Sequence, residues 1–102
     1  MNLLQDRHVL VLGLGLSGLA MARWCARQGA SVTVADTRAE PPQLAALREC
    51  LPAARFICGA LDATLLEDAS VRAVYRSPGL APASIATLVQ AARERGLPVG
   101  GE

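Results

Sequence analysis

The chain has 102 residues, the length of one small domain, and at 52% hydrophobic residues it can bury a core. Ten basic and nine acidic side chains leave a net charge of +1, which speaks against nucleic acid as a partner. No apolar run is long enough to cross a membrane, and Asp6 and Arg7 interrupt the N-terminus too early for a signal peptide. With one Trp, one Tyr and one Phe, the core must be aliphatic. Cys25, Cys50 and Cys58 make neither a disulfide framework nor a C-x-x-C pair, so reduced thiols in a cytoplasmic protein are expected.

After a short lead-in, His8 to Leu12 is an apolar run that predicts a buried strand. Gly13-Leu14-Gly15-Leu16-Ser17-Gly18 follows, a complete G-x-G-x-x-G. A helical run to Gln28 comes next, with Arg23 and Arg27 on one face and Gly18, Met21, Ala22, Cys25 and Ala26 on the other. Gly29 breaks it, and Ser31 to Ala35 predicts a second strand ending in Asp36. A glycine pattern between a strand and a helix is the setting of a nucleotide-phosphate site. Gly13 permits the tight turn, Gly15 lets a diphosphate approach the backbone, and Gly18 lets the helix pack close to the strand. The helix start then aims its amides at the phosphates.

Thr37 to Pro42 predicts a loop. Gln43 to Leu51 predicts a helix with Leu44, Leu47 and Leu51 on one side, ended by Pro52. Arg55 to Cys58 is a short third strand, Thr64 to Ala69 a short helix anchored by Leu65 and Leu66, and Val71 to Tyr75 a fourth strand. Ser77-Pro78-Gly79 signals a turn, and Pro82 suits the first turn of a helix. Ile85, Leu88, Val89 and Ala92 form its apolar stripe, Gly96 ends it, and Leu97 to Gly100 is a last strand. The chain stops just beyond that strand, as a domain cut from a longer protein would.

Alternating strands and helices predict an α/β, Rossmann-like three-layer sandwich. Its five-stranded parallel sheet should run 3-2-1-4-5, with helices on both faces. Ligands bind such sheets where the strand order reverses, outside the carboxyl ends. Gly13–Gly18, Asp36-Thr37-Arg38 and Ser77-Pro78-Gly79 should therefore converge on one crevice.

Two ligand classes fit that crevice. Asp36 lies 18 residues beyond Gly18, about where a carboxylate would hold the ribose of NAD. A nucleoside diphosphate conjugate such as a UDP-sugar fits too. Asp36 can accept the uracil imide N–H, Thr37 can donate or accept, and the flat guanidinium of Arg38 can lie against the base. A nucleotide-sensing regulatory module is a third possibility. His8 and Arg76 are secondary candidates, the first more in keeping with a strand end and the second for a phosphate or for solvent.

The runs VLGLGLSGLA at 11–20, ADTR at 35–38 and SPGL at 77–80, in that order, resemble the N-terminal domain of the Mur ligases. The resemblance is closest to members that add D-glutamate to UDP-N-acetylmuramoyl-L-alanine, and it covers essentially the whole chain. It implies a UDP site of Gly13, Gly15, Leu16, Ser17, Gly18, Ser77, Pro78 and Gly79, in which Leu16 and Ser17 offer groups to the diphosphate at the helix start and Ser77 and Gly79 close the other side. It also implies that Asp36, Thr37 and Arg38 hold the uracil. The chain would be the first of three domains in a monomeric cytoplasmic ligase of peptidoglycan synthesis. ATP and magnesium would be bound by the central and C-terminal domains. The chain has no G-x-x-x-x-G-K-[S/T], so no bound cofactor, metal or catalytic residue is expected within it.

Overall fold

In a computed structural model, the protein is described over residues 6–67, 70–78, 80 and 82–100. Its strands are β1 (His8–Leu12), β2 (Ser31–Asp36), β3 (Arg55–Cys58), β4 (Val71–Arg76) and β5 (Val99–Gly100). The helices are α1 (Leu16–Arg27), α2 (Leu44–Cys50) and α3 (Ala86–Glu94). All strand pairs are parallel and the order is β3-β2-β1-β4-β5, as the alternation of elements predicts.

The sheet is buried on both faces because β1 is apolar at every position after His8. Val9 and Val11 point to one side, where they meet Leu19, Ala22 and Cys25 of α1, Leu44 and Leu47 of α2, and Val32 and Val34 of β2. Leu10 and Leu12 point to the other, against Leu66, Val74, Ile85, Leu88 and Ala92. The alternation of a strand thus feeds two aliphatic cores at once. Trp24 is the aromatic exception: 39% exposed, it meets Tyr75 edge-on, with ring centroids 6.5 Å apart.

Three local expectations are corrected. The segment expected as a helix over Thr64 to Ala69 is a single 3₁₀ turn, Ala63–Leu66. Asp62 starts it by accepting the Thr64 N–H at 3.0 Å, and Leu66 alone of its residues is buried, so nothing draws the turn into a longer helix. Residues 68 and 69 of that expectation lie outside the described set. Pro82 opens a 3₁₀ turn, Pro82–Ile85, before α3 rather than the helix itself. The last strand is shorter than Leu97 to Gly100 because Pro98 has no N–H to donate, although its carbonyl accepts the Val74 N–H at 2.9 Å.

Close packing at the start of α1 fixes the geometry of the crevice. A Cβ on Gly18 would lie 2.9 Å from the Gly13 carbonyl carbon and nearer still to its oxygen, so only glycine fits. A Cβ on Gly15 would meet nothing within 4 Å. Gly18→Ala should therefore lower stability by about 2–4 kcal/mol, as backbone overpacking does. Gly15→Ala should cost less than about 1 kcal/mol. Thermal or denaturant unfolding measures both, and equal stabilities for the two variants would refute this account of the packing.

Candidate functional site

The glycine loop leaves the carboxyl end of β1 and turns at Gly13, whose φ of 88° is open chiefly to glycine. The Gly13 N–H donates to the Ala35 carbonyl at 2.8 Å, and the Ser77 N–H donates to the Leu12 carbonyl at 3.0 Å. The loop is therefore laced to both neighbouring strands. A Cβ on Gly13 would sit 3.2 Å from the Ser77 side chain, so the glycine loop and the turn after β4 abut.

That second turn is held by the Leu80 N–H, which donates to the Ser77 carbonyl at 3.1 Å, and by Arg76, whose Nη2 donates to the Leu80 carbonyl at 2.9 Å. Arg76 is thus a brace for the turn. Ser77 is buried and Pro78 exposed; Gly79, expected to close this side, lies outside the described residues. On the other lip, Leu16 is 75% exposed and Ser17 is exposed, while Leu14 is fully buried. No side chain caps α1 at Gly15, and its first turn carries no acidic residue. The helix start is positive and faces the crevice, an arrangement suited to an anion.

Asp36 occupies the centre. It is 3% exposed, yet its carboxylate is well supplied with donors. Oδ2 accepts the Leu14 N–H at 2.8 Å and Nη2 of Arg38 at 2.9 Å. Oδ1 accepts the Arg38 N–H at 2.9 Å and Nε at 3.0 Å. No residue type in the sequence marks the link to Leu14. The signal for it was the register: Leu12 pairs with Ala35 in parallel, so the residue after β2 stands beside the loop that leaves β1. Thr37 and Arg38 are exposed, and Cys58 at the end of β3 donates its thiol to the Thr37 carbonyl at 3.8 Å.

Arg38 holds the Asp36 carboxyl down at about 2 through its side-chain hydrogen bonds, assisted by the two backbone N–H donors and its positive charge, while burial works the other way. The stabilisation that accompanies a lowered carboxyl pKa is complete above the ordinary carboxylate range and is lost as pH falls toward 2. Asp36→Asn should thus cost about 2 kcal/mol near pH 7, and the gap from the parent should narrow between about pH 4 and pH 2. Unfolding measured across that range checks it; a gap independent of pH would show that the charge of Asp36 contributes nothing.

Other candidates lie elsewhere. His8 is at the amino end of β1, with Nδ1 2.7 Å from the Ser70 hydroxyl and Nε2 2.7 Å from that of Thr33, far from the crevice along the strand. Burial pushes the Cys25 thiol up to about 11, which makes it a core residue and not a nucleophile. A hollow of about 280 Å³ between the ends of α1 and α2 is walled mostly by aliphatic side chains and holds none of the expected site residues. Among the described residues, no group of three or more His, Cys, Asp or Glu is placed to hold a metal, and no helix is long and apolar enough to cross a membrane.

These features define a class: a Rossmann-like α/β domain with a glycine-rich loop at the switch point of its sheet. The chain matches the Mur ligase MurD-like N-terminal domain over residues 7–101 and belongs to that family. It is 65% identical over its whole length to a UDP-N-acetylmuramoylalanine–D-glutamate ligase of Albidiferax ferrireducens, covering 20% of that protein. It is 66% identical, again over its whole length, to the ligase of the same name from a Polaromonas species, covering 17% of it. Against the Ralstonia nicotianae ligase it is 57% identical over 97% of its length. The chain thus spans about a fifth of the length of the curated relatives it matches. Among solved structures, shikimate dehydrogenase from Aquifex aeolicus is similar in fold, with a TM-score of 0.65 at 15% identity over 96% of this chain and 43% of that one.

Proposed function

We propose that this domain binds the UDP moiety of UDP-N-acetylmuramoyl-L-alanine, as the first domain of a cytoplasmic, ATP-dependent ligase that adds D-glutamate in peptidoglycan precursor synthesis. The observation that carries this reading is the position of the Asp36 carboxylate, buried between the glycine loop and an exposed Thr-Arg turn. The names of the relatives supply the substrate class.

In this reading the diphosphate lies across Gly15, against the amide groups of Leu16 and Ser17 at the start of α1, with Ser77 and Pro78 opposite. The base lies over the β2 turn. Oδ1 of Asp36 accepts the imide N–H, Thr37 offers its hydroxyl, and the Arg38 guanidinium moves off both carboxylate oxygens to lie flat on the ring. The exposed side of Arg38 makes that movement easy. The residues present do not fit ATP with magnesium: the chain has no phosphate-binding lysine loop. Those groups are assigned to parts of the ligase beyond this chain, and the domain alone should turn over no substrate.

UDP should stabilise the protein and NAD should not. Ligand at about tenfold its Kd adds about 1.4 kcal/mol to stability, or several degrees in Tm for a domain of this size. CDP offers no imide N–H, leaves the carboxylate facing the ring unpaired, and should bind about tenfold or more weakly than UDP. Melting curves with UDP, CDP and NAD test this together. A shift with NAD and none with UDP overturns the ligand class; equal shifts with UDP and CDP overturn base recognition by Asp36.

A further inference from the structure

We infer that Asp36 is also a positioning residue for the phosphate half of the site: its Oδ2 fastens the glycine loop through the Leu14 N–H, so the diphosphate and base halves are coupled through one side chain. This deepens the UDP reading and rests on it. The two carboxylate oxygens divide the work. Among the described residues Oδ1 accepts from Arg38, through the backbone N–H and Nε, and faces the exposed turn, while Arg38 Nη2 reaches across to Oδ2. Oδ2 holds the Leu14 N–H at 2.8 Å in a buried contact between residues 22 positions apart in sequence. When the Arg38 guanidinium swings over a base, both oxygens lose one donor; Oδ1 keeps the Arg38 N–H and gains room for the imide, and Oδ2 keeps the loop.

Leu14 is where a tie has most effect. Gly13 before it is fixed by Ala35, and Gly15 after it is the N-cap of α1. With the Leu14 amide spent on Asp36, the loop is held in a conformation that leaves Gly15 open. Without the tie, the segment between two glycines regains backbone freedom, and an arriving phosphate must order it. A carboxylate this near an anion site repels the anion, so electrostatics alone makes Asp36 a liability for phosphate binding. The tie reverses the sign expected on removing it.

The test uses pyrophosphate, which carries the phosphate half and no base, alongside UDP. Titrations compare the parent, Asp36→Ala and Arg38→Met. Asp36→Ala should weaken pyrophosphate about fivefold to tenfold and UDP further, and should speed hydrogen exchange at the Leu14 amide while Leu10 and Val11 stay protected. Arg38→Met should weaken UDP and leave pyrophosphate within about twofold. If Asp36→Ala does not fold, Asp36→Asn replaces it, with a weaker acceptor and about threefold loss for pyrophosphate. Pyrophosphate binding that is equal or tighter in the Asp36 variant overturns the tie. A parent that binds pyrophosphate but not UDP overturns the uridine reading and leaves the tie to be judged on pyrophosphate. A parent that binds neither overturns both.

Discussion

The fold of the crevice depends on one steric fact: α1 begins in contact with the backbone of the loop it grows from. Gly18 rests against the Gly13 carbonyl with no space for a Cβ. That contact draws the axis of α1 onto β1 and lets Leu19, Ala22 and Cys25 fill the sheet face at 8% exposure or less. It also sets where the helix starts. Its first amides emerge beside the end of β1, opposite the turn after β4, and not out over the sheet edge. The packing requirement and the anion-binding geometry are therefore the same requirement, met by the same residue.

Asp36 is the second constraint. A carboxylate at 3% exposure in an aliphatic domain is costly unless it is hydrogen-bonded and paired. Here it is both, but the partners differ in kind. The backbone donors of Leu14 and Arg38 belong to segments fixed by the sheet and the glycine loop. The guanidinium of Arg38 is on a side chain that is 53% exposed. The fixed donors keep the carboxylate aimed, while the Arg38 side chain does most to keep it ionised. The site is thus charged, buried and electrically balanced before any ligand arrives.

Much of this was legible in the sequence, and the reasons are physical. The helix stripes of α2 and α3 were legible because apolar residues recur at helical spacing and end at Pro52 and Gly96; Leu44, Leu47, Leu88 and Ala92 are all buried. The sheet order followed from the alternation of elements and the handedness of crossovers. Leu19 escaped the wheel reading of α1, since it lies at the margin of the inward arc and is buried by the loop side of the core. The turns Ala63–Leu66 and Pro82–Ile85 were read as helix because two leucines or a proline suit either structure over so few residues. The Leu14–Asp36 bond was illegible from composition, because a backbone donor carries no residue-type signature. Only the register of β1 on β2 reveals it.

The scaffold by itself does not specify what it binds. This chain shares its fold at 15% identity with a shikimate dehydrogenase and its family at 65% with a D-glutamate ligase. What separates those alternatives must lie in the few residues at the ends of the strands. In this chain Oδ2 is turned inward to Leu14, and Oδ1 is turned toward the strand-following turn that Thr37 and Arg38 share. The same five strands can therefore carry different sites, and the residues at their carboxyl ends set which.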